Sequence, residues 1–288
     1  MTVEYAIKAE GLVKNYGAFC LNNVDIALPG GSIMGLIGDN GAGKTTLIKL
    51  LLNLIKRDAG RVSLLGLDPI ADERAVKAQL GVVFDECCWS ELLCPAEIER
   101  VLRKLYPTWG TDLFYSYLER FSLPAKKKIK TFSRGMRMKL SVAAALGSSP
   151  KLLLLDEPTG GLDPIIRNEI LDIFMEFIQD DEHSILMSSH ITGDLEKVCD
   201  YICFLHQGEV LLCDQKDDLL ERYGILRCNV QQLEKISPEF VVRIMPHQFG
   251  CNALVQNSAR LRRQHPEMTV DCATLEDIML FYVKGETR

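Results

Sequence analysis

An α/β fold built on a mostly parallel sheet with helices on both faces is predicted for this 288-residue chain by three observations. Short apolar runs of strand length recur between helical segments, among them Ile33 to Ile37, Leu152 to Leu155 and Ser184 to Ser188. That is how strands buried on both faces read. The first run ends in Gly38 to Thr45, GDNGAGKT, which satisfies GxxxxGK[ST] in the strand, loop and helix setting that a phosphate-cradling loop needs. The second closes on two adjacent carboxylates, Asp156 and Glu157.

The elements follow in order. Residues from about Val3 to Leu28 alternate loosely, with β-branched and aromatic positions, and Pro29, Gly30 and Gly31 make a turn, so this is antiparallel strand material. After the glycine loop, Thr45 to Leu54 has helical character. Arg61 to Leu67 reads as a strand, and Ala75 to Phe84 as a helix feeding a strand. Pro95 to Leu146 is rich in helix formers and broken at Pro107 and Pro124, a helical insertion placed at about 90–146. Beyond the second apolar strand, Pro164 to Ile178 has helical spacing, and Tyr201 to Leu205 with Glu209 to Leu212 make a hairpin around Gly208. From Asp214 a Lys/Asp/Glu-rich helix gives way to a less decisive pattern through Gln231 to Arg263. The expected division is a core domain at 1–213 and a small C-terminal extension at 214–288. No internal repeat is visible.

Composition narrows the function classes. With 47% hydrophobic and 25% charged residues the chain is an ordinary globular protein. A net charge of -6 gives no basic footprint for nucleic acid, and Lys126, Lys127, Lys128 and Lys130 are a local, solvated run. The ten cysteines are scattered among apolar runs, which fits a reducing compartment, and Cys87 and Cys88 are adjacent, poor geometry for zinc. Glu4 and Lys8 interrupt the start, unlike a secretory signal, and no run approaches the ~18 apolar residues of a spanning helix. Any membrane role is expected to come through a partner.

The chemistry is concentrated in the glycine loop and in Thr131 to Asp163. The N–H groups of Gly41 to Thr46, at a helix N-terminus, are suited to phosphate oxygens, so Gly38, Asp39, Asn40, Gly41, Ala42, Gly43, Lys44, Thr45 and Thr46 form the expected nucleotide cradle. Lys44 is expected on the terminal phosphates and Thr45 on Mg²⁺. Asp156, at the end of a dry strand, is suited to the magnesium shell, and Glu157 to orienting or deprotonating the attacking water. His190, just past the next strand, is placed to donate to the γ-phosphate. Phe132, Ser133, Arg134, Gly135 and Met136 head an apolar helical run, and Gly161, Leu162 and Asp163 turn just beyond the carboxylates.

Those five motifs, in that order, resemble the nucleotide-binding subunit of an ATP-binding cassette (ABC) transporter, over roughly Val3 to Cys213. The resemblance implies a P-loop NTPase core of the ABC ATPase type, carrying the antiparallel β subdomain, the helical insertion and the small extension. It implies ATP and Mg²⁺ as cofactors, with Lys44, Glu157 and His190 catalytic. Tyr16 is then the aromatic that stacks on adenine, or else a strand core residue. The family further implies a head-to-tail dimer, homo- or heterodimeric, in which Ser133 and Gly135 meet the γ-phosphate held by the opposite Lys44. ATP would close such a pair and hydrolysis release it. Partners are separate transmembrane subunits, docked near Cys87 to Leu93, and the chain sits on the cytoplasmic face of the membrane through them.

Two positions depart from the family pattern. Arg134 and Met136 stand where a glycine and a glutamine are usual, and Arg134 either adds a cation near the phosphate in trans or faces solvent. Asp85 replaces a glutamine after Val82, Val83 and Phe84, as a magnesium or coupling residue or as plain loop. Such departures resemble bacterial export-type subunits, including those for antimicrobial peptides and antibiotics. The alternative is a soluble ABC ATPase of a non-transport machine, in cluster assembly or a nucleic-acid or ribosome-associated process. The single cassette and the acidic charge weigh against it.

Overall fold

A computed structural model describes residues 4–248 and 250–287, so Val3, at the head of the first predicted strand, lies outside the described residues. The chain divides into two units, Met1–Val210 and Leu211–Arg288.

The first unit opens with β1 (Tyr5–Asn15) and β2 (Cys20–Pro29), an antiparallel pair. β3 (Ile33–Ile37) leads to α1 (Lys44–Leu51), which stops before Asn53, held at φ 52 in the left-handed region that ends helices. β4 (Ala59–Leu64) joins β1, giving a three-stranded sheet in the order β2-β1-β4. It is shorter than the predicted Arg61 to Leu67 because Leu65 and Gly66 both take positive φ and turn the chain back, with Leu64 and Leu67 bonded across the turn.

α2 (Glu73–Lys77) and β5 (Leu80–Val83) follow, then the helical insertion of α3 (Pro95–Leu105), α4 (Thr111–Arg120) and α5 (Arg134–Gly147). Pro95 at the first position and a Cys94–Glu97 capping box start α3. Lys128 bonds Glu97 at 2.8 Å and, with the Cys94 N–H, holds that carboxyl down at about 2. One member of the lysine run therefore has a structural partner.

β6 (Leu152–Asp156), α6 (Pro164–Phe177), β7 (Ser184–Ser189), α7 (Thr192–Val198), β8 (Tyr201–His206) and β9 (Glu209–Gln215) complete the βα pattern. The large sheet runs β5-β6-β7-β3-β8-β9, parallel from β5 through β8. Alternate strand residues face opposite sides. Met34, Leu36, Leu152, Leu154 and Leu186 join Leu47, Ile48 and Leu51 of α1 and the inner face of the antiparallel sheet in one core. On the opposite side α7 approaches so closely that a Cβ on Gly35 would lie 3.1 Å from Leu195.

The second unit continues with α8 (Lys216–Arg222), β10 (Tyr223–Cys228), α9 (Val230–Glu234), β11 (Val241–His247), β12 (Gly250–Gln256), α10 (Ser258–Gln264), β13 (Thr269–Cys272) and α11 (Leu275–Lys284). From β10 to β13 this is a β-α-β-β-α-β succession in an antiparallel sheet ordered β11-β12-β10-β13, a ferredoxin-like arrangement. It has its own core, with Leu226, Phe240, Ala253, Val255 and Leu261. Cys228 and Cys251 face each other across β10 and β12 with sulfurs 3.6 Å apart. Burial pushes the Cys228 thiol up to about 12, so it stays protonated. No disulfide links the described cysteines, and no helix among the described residues is long and apolar enough to cross a membrane.

Candidate ATP site

Parallel strands bring different loops together at their carboxyl ends, where ligands of open α/β sheets bind. β6, β7 and β3 are neighbours, with Asp156 beside Ser188 and Ile37 beside Ser189. The Gly38 to Gly43 loop, Asp156 with Glu157, and Ser188 to His190 therefore converge although they are far apart in sequence.

The loop needs its glycines. A Cβ on Gly38 would sit 2.2 Å from the Leu205 carbonyl, and Gly43 has φ 110 with the Phe19 ring 2.9 Å from any added Cβ. No side chain caps α1. Its first N–H groups are the orphan donors, at the positive end of the helix, that suit a phosphate.

Lys44 is only 6% exposed. Its Nζ donates to the carbonyls of Gly38 at 2.6 Å and Asp39 at 3.3 Å, and stands 3.3 Å from Glu157 Oε1. Glu157 sits at φ 51, a left-handed backbone that costs a bulky residue energy and marks a functional turn. The turn aims its other oxygen at His190 Nδ1, 2.7 Å away. Lysine, glutamate and histidine form one continuous line.

A second line runs beside it. The Thr45 hydroxyl donates to Asp156 Oδ2 at 2.7 Å, and the Ser188 hydroxyl donates to Asp156 Oδ1 at 2.7 Å while accepting from the Glu157 N–H at 3.0 Å. Ser188 thus clamps both carboxylate residues from the next strand. It was not singled out from the sequence, and its signal was a buried serine directly after the apolar run Ile185 to Met187. Ser188→Ala is expected to leave buried polar groups of Asp156 and Glu157 unpaired, a loss of about 2 kcal/mol. The matching readouts are a lower melting temperature and a lower kcat with ATP affinity unchanged; an unchanged kcat would make the clamp structural only.

Lys44, Thr45, Asp156 and Glu157 border a cavity of about 510 Å³ that also takes in Asn40, Thr46, Asp85 and Phe19, whereas Ser188 and His190 are not on its lining. Phe19 is a second residue that sequence reasoning missed. Tyr16 is not on that lining; it is 53% exposed, with the Lys14 ammonium 5.4 Å from its ring centre, so the strand-core alternative is excluded. Ser133 and Gly135 are not on it either. The Ser133 hydroxyl accepts from the Met136 N–H and caps α5, and Gly135 is buried where a Cβ would meet Ile166 at 2.6 Å. Asp163 caps α6, accepting from Ile165 and Ile166, with Pro164 at the first helical position. Arg134 has a partner within its own chain: its Nη2 bonds Asp85 Oδ1 at 2.6 Å.

The donor set fits Mg²⁺, a hard cation that takes a hydroxyl, one or two carboxylates and substrate phosphates. Thr45 and Asp156 offer such oxygens side by side, whereas no cluster of three or more His, Cys, Asp or Glu among the described residues could cage a metal.

Comparison with known proteins agrees with this geometry. The family profile described as ABC transporter matches residues 21–160. The bacitracin transport ATP-binding protein BcrA of Enterococcus faecalis is 33% identical over 214 residues, 73% of this chain and 70% of that protein. The chain belongs to the ABC transporter ATP-binding proteins. The lantibiotic transport ATP-binding protein SrtF of Streptococcus pyogenes is likewise 33% identical over 214 residues, covering 73% of this chain and 91% of that one. A solved ATP-binding subunit of an ABC transporter superposes with a TM-score of 0.67 at 27% identity, over 74% of this chain and 91% of its own. As an ABC ATP-binding subunit the chain binds and hydrolyses ATP, and such subunits dimerise and work with transmembrane partners.

Proposed function

We propose that the chain powers export of an antibiotic-like or peptide-like compound through separate transmembrane subunits, as a peripheral subunit on the cytoplasmic face of the membrane. The observation that carries the catalytic part is the line Lys44–Glu157–His190, with 3.3 and 2.7 Å separations, beside Thr45–Asp156–Ser188. The transport names of the relatives support the export reading.

The N–H groups of the Gly38 to Thr46 loop and Lys44 bind the ATP phosphates, and Tyr16 stacks on the adenine. Thr45 and Asp156 would hold Mg²⁺, while Asp85, on the same cavity lining, is taken up by Arg134. Bound there, the cation neutralises charge developing on the phosphates. Glu157 orients the attacking water and accepts its proton; His190, bonded to Glu157, donates toward the γ-phosphate. Ser133 and Gly135 complete the site of a second cassette, identical or divergent, in a head-to-tail pair.

Tagged Glu157→Gln protein isolated from detergent-solubilised native cells, with and without ATP, tests the assignment. A multi-spanning membrane protein retained with it is the expected result. Retention of soluble partners or nucleic acid alone would refute the transport reading and leave the ATPase chemistry standing.

A further inference from the structure

We propose that Asp85 and Arg134 are a positioning pair: their ion pair, laid against the turn at Gly161, holds the Ser133 to Gly135 segment in register with the hydrolytic site. The proposal rests on the nucleotide reading above.

Three segments that belong to different elements meet at one guanidinium. Arg134 is the first residue of α5, at the head of the last insertion helix, between the two residues assigned to the second cassette's phosphate. Asp85 lies two residues past β5, in the core sheet, and its Oδ1 takes the Arg134 Nη2 at 2.6 Å. Gly161 lies in the turn before α6. A Cβ there would fall 3.0 Å from both Cζ and Nη1 of Arg134, so the guanidinium rests on the bare backbone of that turn. The turn in its own right reaches the hydrolytic site, because the Gly160 N–H donates to the Glu157 carbonyl at 3.1 Å.

Asp85 also borders two cavities, the one shared with Lys44 and Glu157 and one of about 480 Å³ lined by Arg134 and Arg137. The other charged groups there are Glu86 on the same wall and Arg137, which is engaged by Glu91 at 2.7 Å. With Arg137 so engaged, Arg134 is the cation on this wall that is bonded to Asp85. Their side chains are 56% and 47% exposed, so the pair is a modest contact that can shift as nucleotide binds.

A double-mutant cycle on the purified full chain reads the coupling. Asp85→Asn and Arg134→Met are each expected to raise the half-saturating ATP for hydrolysis about threefold, the scale of an exposed ion pair. Binding of a fluorescent ATP analogue to the monomer should not move, because the pair acts on the segment offered to the second cassette. The double variant should be no worse than either single, and the exchanged pair Asp85→Arg with Arg134→Asp should recover most of the loss. Additive losses, a silent Arg134→Met, or an exchanged pair no better than the singles would overturn the proposal. An Asp85→Asn loss reversed by added Mg²⁺, with Arg134→Met silent, would overturn it too and assign Asp85 to the metal. A parent protein that binds nucleotide without turnover at any concentration would instead bring down the hydrolytic reading beneath it.

Discussion

Glu157→Gln is expected to lower steady-state ATP turnover by at least about 100-fold, the low end of what a positioned general base contributes. ATP binding should survive. The substitution keeps size and shape, and it leaves untouched the left-handed backbone at φ 51 and the bond from the Glu157 N–H to Ser188. What disappears is the charge that faces Lys44 at 3.3 Å and His190 at 2.7 Å, and with it the capacity to take a proton from water. A chain that binds ATP but cannot hydrolyse it should accumulate as an ATP-held dimer. Sedimentation velocity with and without ATP, beside a phosphate-release assay, measures both halves. Persistence of the monomer at saturating ATP contradicts the head-to-tail pair; persistent turnover moves the base to another residue.

Lys44→Ala should act one step earlier, weakening ATP affinity itself. A hydrogen bond between charged partners contributes up to about 3 kcal/mol, so a fall in affinity of roughly 100-fold is expected. The lysine is buried and already held in place by the carbonyls of Gly38 and Asp39, so little ordering remains to be done when phosphate arrives. Its removal also takes the nearest cation away from Glu157. Titration calorimetry with ATP separates this variant from Glu157→Gln, which should bind normally. Undiminished affinity would place the phosphates away from the glycine loop.

The features that could be read ahead of the structure are those whose physical demand is local in the chain. A loop so close to the Leu205 carbonyl that a Cβ on Gly38 would lie 2.2 Å from it, and that turns through positive φ at Gly41 and Gly43, demands glycines at those places, and the lysine and threonine it serves follow directly. A dry strand shows as Leu152 to Leu155, and the carboxylates at its end stand out because nothing polar precedes them. Helix starts at Ser133 and Asp163 announce themselves through side chains that satisfy N–H groups two or three residues on. The acidic Asp85 and basic Arg134 were visible as odd residues, but each alone had two readings.

The C-terminal unit stayed illegible for a different reason. β11 is half-buried along most of its length, so no clean alternation marks it, and α9 has five residues, too few to show a helical period. Outside β12, which places Cys251, Ala253 and Val255 in it, its core draws only one or two residues from each element, Leu226, Phe240 and Leu261 among them.

Residue order alone therefore established the nucleotide loop and the alternation of strand and helix, and it picked out the residues proposed as acid, base and metal-side groups, since each follows from backbone geometry or burial within a few residues. Folding in three dimensions was needed for the Ser188 clamp on Asp156 and Glu157, the aim of Glu157 between Lys44 and His190, and the Asp85–Arg134 pair. Those contacts join residues 31 to 113 positions apart, as Lys44 to Glu157 does at the far end, and such partners are chosen by strand order in the sheet, which sequence spacing does not encode.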